Sequence, residues 1–153
     1  MGWWITRAER TLTEDVPAPP ERVRDFYTDL HNITLVHPLV VSVRSTGRRE
    51  TADGYVQTYR VRDRIPLGPF TLRTSYRARV HVLVSGDVLS EARQFPGVRL
   101  RSTVTFEPIG GGTHVIERMT IAAPRPLAGV TTREAVKAHV AMLAGIRRRF
   151  EPN

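Results

Sequence analysis

Between Val40 and Ala123 apolar and polar residues mostly alternate with a period of two, and from Thr131 to Phe150 the period lengthens to that of a helix. The alternation predicts strands over Val40–Arg49, Gly54–Pro66, Pro69–Val84, Asp87–Gln94, Val98–Pro108 and Thr113–Ala123, preceded by a first strand from Trp4 to Thr13. The connections are short and carry turn residues, as in Pro66-Leu67-Gly68-Pro69, Phe95-Pro96-Gly97 and Gly110-Gly111-Gly112, so neighbouring strands should pair as antiparallel hairpins. The longest strand sets Phe70, Leu72, Thr74, Tyr76, Ala78, Val80 and Val82 against Thr71, Arg73, Ser75, Arg77, Arg79 and His81. In the last strand Val115, Glu117, Met119 and Ile121 form the more apolar face and are expected to point inward.

Helical spacing appears in three places. The proline-rich stretch Val16–Glu21 opens a helix that continues through Val23, Phe26, Tyr27 and Leu30 at i, i+3, i+4 and i+7. A second short piece is predicted from Ile33 to His37, ended by Pro38. The last helix starts with a capping box, Thr131 with Glu134, flanked by Val130 and Ala135. Its apolar face gathers Ala135, Val136, His139, Val140, Met142, Leu143, Ile146 and Phe150, with His139 near the middle. The segment Ala122–Gly129 reads as the loop between the last strand and this helix. A curved sheet closed by one helix encloses space, and the expected fold class is α+β with a seven-stranded antiparallel sheet wrapped around the C-terminal helix.

The chain has 153 residues, which suits one domain spanning 1–153, and a 41% hydrophobic content rules out a disordered chain. No apolar stretch is long enough to span a bilayer. The start, Met-Gly-Trp-Trp-Ile-Thr-Arg, lacks the parts of a signal peptide; it matches a myristoylation pattern formally, but the tryptophan pair reads as the beginning of a strand. With no cysteine there are no disulfides or thiolate sites, and a cytoplasmic location is the expectation.

The net charge of +8 comes almost wholly from arginine, with Lys137 the single lysine. Arg60, Arg62 and Arg64 alternate with Tyr59, Val61, Asp63 and Ile65, and Arg73, Arg77 and Arg79 with Leu72, Tyr76, Ala78 and Val80, as on the solvated side of a one-sided sheet. That placement speaks against nucleic acid as the partner. Transient contact with a membrane surface stays open, and the oligomeric state is not legible.

The order of elements, together with local cues, resembles the START/Bet v 1-like (SRPBCC) superfamily, in particular the bacterial polyketide cyclase/dehydrase and lipid transport group. The cues are Val16-Pro17-Ala18-Pro19-Pro20-Glu21-Arg22-Val23 leading to Tyr27-Thr28-Asp29-Leu30, then His37-Pro38-Leu39-Val40, Gly111-Gly112-Thr113-x-Val115 and the amphipathic terminal helix. The resemblance implies a helix-grip fold, with two short helices between strands 1 and 2. It also implies a cavity between sheet and last helix that serves a small hydrophobic ligand, or an aromatic polyketide cyclase/dehydratase reaction in the same space.

The candidate wall residues are Tyr59, Leu72, Tyr76, Val104, Glu117, Met119, His139 and Met142. His139 is either an acid–base or ligand-orienting group in the cavity or a core histidine bonded to a neighbour. Glu117 is either a carboxylate in an apolar pocket that works as acid or base, or it pairs with an inward Arg or Tyr, or, if the strand register is shifted, it faces solvent. Asp63 is expected in an ion pair with an arginine at the sheet edge, with a place at the cavity mouth as the other reading. No cofactor and no metal are expected, because His31, His37, His81, His114 and His139 show no ligand spacing. The apolar tip Ile65–Phe70 and the Ala122–Gly129 loop are the two places where a gate could lie.

Overall fold

The computed structural model describes residues 4–152. Strand β1 (Ile5–Val16) leads to helices α1 (Pro20–Thr28) and α2 (Leu30–Ile33). Six strands follow, β2 (Val40–Thr51), β3 (Gly54–Leu67), β4 (Phe70–Leu83), β5 (Val88–Gln94), β6 (Val98–Ile109) and β7 (Gly112–Pro124), and the chain ends in α3 (Arg125–Phe150). The strands make one antiparallel sheet in the order β1-β7-β6-β5-β4-β3-β2. Consecutive strands from β2 to β7 are hairpin partners, and β1 crosses over to pair with β7 from Ile5↔Pro124 to Val16↔Thr113. This is the helix-grip arrangement.

The inward faces of the strands and one side of α3 form the core, in which Val16, Val61, Val80, Val104 and Val115 meet Met142, Leu143 and Ile146. Helix α1 closes one end with Val23 and Tyr27, Tyr27 meeting Phe106 edge to face at 5.8 Å. Where β7 begins, a side chain is excluded: a Cβ on Gly112 would lie 2.1 Å from the carbonyl oxygen of Val16. Among the described residues no helix is long and apolar enough to cross a membrane. The formal myristoylation pattern begins outside the described residues.

Several boundaries differ from the sequence expectation. Strand β1 runs on to Val16, because Glu14 and Asp15 pair along β7 although neither adds to the alternation. Helix α2 covers Leu30–Ile33 rather than Ile33–His37; the Asp29 side chain accepts from the His31 amide at 3.0 Å and fixes this earlier start. Helix α3 begins at Arg125, directly after β7, so Ala122–Gly129 is not a loop and Thr131 is inside the helix rather than its cap. Pro126 falls in the first turn, where its missing amide hydrogen costs nothing. The Arg125 amide donates to the Trp4 carbonyl at 2.8 Å, tying this start to the beginning of β1. The buried stripe of α3 is Ala138, Met142, Leu143, Gly145 and Ile146, whereas Val140, assigned to that face by period, is exposed.

Alternation alone leaves the sideways alignment of the arginines undetermined. In the structure Arg44, Arg60, Arg77, Arg93 and Arg99 stand directly opposite one another on β2, β3, β4, β5 and β6. Like charges in register disfavour the sheet. The offsetting carboxylate is Glu91, which pairs with Arg93 (2.9 Å), Arg99 (3.1 Å) and Arg101 (3.2 Å).

Candidate functional site

Two adjoining chambers, of about 220 and about 100 Å³, lie between the sheet and α3. Together they are at the lower end of the space a small organic ligand needs. His37, Tyr76, Ala92, Leu100 and His139 belong to the walls of both and so mark their junction. The inner chamber ends against Tyr27, Ile33, Val61 and Met142, all buried. The outer chamber opens between Leu72 of β4, the turn at Phe95-Pro96 and Leu127 in the first turn of α3, each exposed.

The junction carries the polar chemistry. Helical phase brings His139 inward from α3, and its Nδ1 lies 2.6 Å from Oε1 of Glu117. Glu117 projects from the inner face of β7 and is 0% exposed. A carboxylate there accepts from Nδ1–H and leaves Nε2 as the ring nitrogen available to a ligand. Burial acts to lower the His139 pKa, but the charge and hydrogen bond of Glu117, with a contribution from Asp63, raise it above that of a free imidazole.

His37, reached after α2, packs edge to face on His139 with ring centroids 5.3 Å apart. The Leu39 amide donates to His37 Nδ1 at 3.2 Å, so the neutral ring carries its proton on Nε2. Burial, and then the neighbouring His139, push the His37 pKa down to about 3. One imidazole is thus kept neutral beside another that holds its proton.

Asp63 and Tyr76 belong to the outer chamber wall, the Tyr76 hydroxyl donating to Oδ1 of Asp63 at 3.3 Å. Burial raises the Asp63 carboxyl to about 6, against the lowering effects of Tyr76 and His139. Thr74, directly opposite Asp63 in the ladder, and Gln94 complete the polar wall. Thr74 Oγ1 and Gln94 Nε2 are buried and have no hydrogen-bond partner among the described residues.

Of the eight residues assigned to the wall from sequence, Leu72, Tyr76, His139 and Met142 line a chamber. Glu117 stands behind His139 and is absent from both linings. Val104 and Met119 are buried outside the chambers, and Tyr59 is spent on structure, its hydroxyl donating to the Thr28 carbonyl at 3.3 Å. Asp63 makes no ion pair among the described residues, which corrects its assignment to an arginine at the sheet edge; its strand face points it at the chamber. Sequence reasoning passed over His37, Thr74 and Gln94. Alternation marks Thr74 and Gln94 as inward, whereas His37 is in an irregular segment without a period. No group of three or more metal-ligating side chains occurs among the described residues.

No protein of curated function matches this sequence. Among solved structures, a protein from Thermus thermophilus is 23% identical with a TM-score of 0.70, over 95% of this chain and 96% of that one. The Zhui aromatase/cyclase from Streptomyces sp. R1128 is 16% identical with a TM-score of 0.65, over 96% of each chain. A STAR-related lipid transfer protein fragment from Xanthomonas axonopodis is 14% identical with a TM-score of 0.63, over 96% of this chain and 93% of that one. These likenesses show a shared fold. Residues 7–151 match the family described as polyketide cyclase/dehydrase and lipid transport, and with that span the chain belongs to this family.

Proposed function

We propose that this protein binds and carries a small hydrophobic ligand, a lipid, polyketide or other aromatic metabolite, in the paired chambers between sheet and α3. The observation that carries the reading is the layout of the cavity: an apolar inner end, and polar groups gathered at the junction and outer wall. Such a site takes a molecule with an apolar body and an oxygen-bearing end, because a buried donor without a partner gains most from an acceptor on the ligand. The reading places residues 1–153 as one ligand-binding domain in the cytoplasm, in keeping with a chain free of cysteine. Native mass spectrometry of the purified protein should show a bound small molecule that organic solvent extracts. The Leu100→Trp variant, which fills the junction, should lose it. An empty wild-type protein that also fails to take up a hydrophobic fluorescent dye would sink the carrier reading.

A second reading, cyclase or dehydratase chemistry, is favoured by Asp63 and His139 lining the same outer chamber and acting on each other electrostatically. Asp63, ionised above about pH 6, would take a proton from a carbon flanked by carbonyls, while His139 Nε2–H donates to the carbonyl oxygen. Glu117 would hold the imidazole in orientation without touching the substrate. Deuterium exchange into a bound 1,3-diketone probe should then be accelerated by the wild type and not by His139→Gln. Equal exchange in the two proteins would remove this reading and leave carriage in place.

A further inference from the structure

The outer chamber opens beside two hairpin tips that carry large apolar residues into solvent. Phe95, in the β5–β6 turn, is 93% exposed, and Phe70, at the β3–β4 tip, is 74% exposed. Leu72 and Leu127, less exposed than the two phenylalanines, continue this apolar rim down into the chamber. Arginines stand close behind the tips. Arg64 and Arg73 are opposite each other on β3 and β4, three residues from Leu67 and Phe70. Arg93 and Arg99 are opposite each other on β5 and β6, one position beyond the Gln94↔Val98 pair that borders the turn. Glu91 serves Arg93 and Arg99, whereas Arg64 and Arg73 make no ion pair among the described residues.

We propose that this rim docks on the surface of an anionic lipid bilayer, so that the chamber opens against the membrane; the proposal rests on the carrier reading. The order of the groups carries it. At about 3.3 Å of rise per residue, the arginines trail the apolar tips by about 7–10 Å. Interfacial segments place their apolar side about 5–10 Å into the headgroup boundary, with cations level with the phosphates. A nucleic-acid backbone would satisfy the arginines and leave Phe70 and Phe95 in water. An anionic bilayer takes both sets at once, and the arginine row across the sheet adds long-range attraction toward it.

Flotation with vesicles of phosphatidylcholine, with and without a minority of phosphatidylglycerol, tests the proposal. The wild type should float with the anionic vesicles, weakly with the neutral ones, and less as salt rises. The Arg64→Gln/Arg73→Gln double variant should lower partitioning about 25-fold. Phe70→Ser should lower it about tenfold. Both variants alter positions outside the chamber lining, so thermal melting and ligand retention by native mass spectrometry should match the wild type. Equal binding to neutral and anionic vesicles, or none to either, overturns the proposal. Binding to a DNA duplex that competes with vesicles and is indifferent to Phe70→Ser also overturns it, assigning the arginines to a polyanion. Vesicle binding by a protein that retains no ligand supports docking while removing the carrier reading, so the two can fail separately.

Discussion

Glu117→Ala should destabilise the protein by about 3–5 kcal/mol near neutral pH, measured as a fall in the urea unfolding free energy. The reason is the partner left behind. Glu117 is fully buried and holds His139 at 2.6 Å, so its removal leaves a buried protonated imidazole without its hydrogen-bonded carboxylate, with only the weaker pull of Asp63 remaining. The ring then gives up its proton: burial, which already acts to lower its pKa, is no longer opposed by the Glu117 charge. An NMR titration of His139 should therefore drop below the free-imidazole value in the variant. The pH dependence follows from the direction of the wild-type shift. A histidine with a raised folded-state pKa adds stability that is complete below its unfolded value of about 6.5 and fades as pH climbs through the folded value. The gap between wild type and Glu117→Ala should accordingly narrow at alkaline pH. A gap independent of pH across that range would show that the pair is not held by charge.

Asp63→Asn should act the other way and stabilise the protein above about pH 6. Burial raises this carboxyl from 3.8 to about 6. Keeping it ionised at neutral pH costs about 3 kcal/mol relative to the unfolded chain. The sign is that of an acid with a raised folded pKa: the native state binds the extra proton between the two values, so stability falls as pH rises through that window. Asparagine removes the cost and still offers Oδ1 to the Tyr76 hydroxyl. The melting temperature should rise by roughly 6–12 °C near pH 7.5 and change little at pH 4. His37 pulls in the opposite sense in both proteins. Its pKa of about 3 means that stability is lost as pH falls below about 6.5, and the effect cancels in the difference. In the diketone exchange assay the same variant should lose the acceleration that His139→Gln loses. A variant no more stable than wild type at pH 7.5 would refute the burial cost.

A carboxylate that weakens the fold, in the wall of a cavity, is the arrangement expected where a site is tuned for a ligand and not for stability. The sheet was readable because β4 and β7 alternate cleanly and because Gly and Pro mark each turn. His139 and Glu117 were readable as inward groups from helical phase and strand parity. Their contact was not, since it depends on how deeply α3 lies against β7. His37 owes its place to α2 ending early and to the Leu39 amide, neither of which leaves a periodic signal. The start of α3 was hidden by Pro124-Arg125-Pro126, a string that reads as a linker and serves as a first turn. The arginine row depends on four registers at once, and two irregularities in the β2–β3 pairing, at Val40/Ser42 and Ser45/Gly47, put it beyond counting residues.

The direct passage from β7 to α3 also determines which wall of the container can yield. A helix swings as a lid only if some backbone torsions at its base are free to turn. Here Pro124 and Pro126 fix two of them, and the Arg125 amide is bolted to Trp4. The base of α3 is a weld, and the helix stands as the fixed jamb of an opening whose other sides are the two hairpin tips.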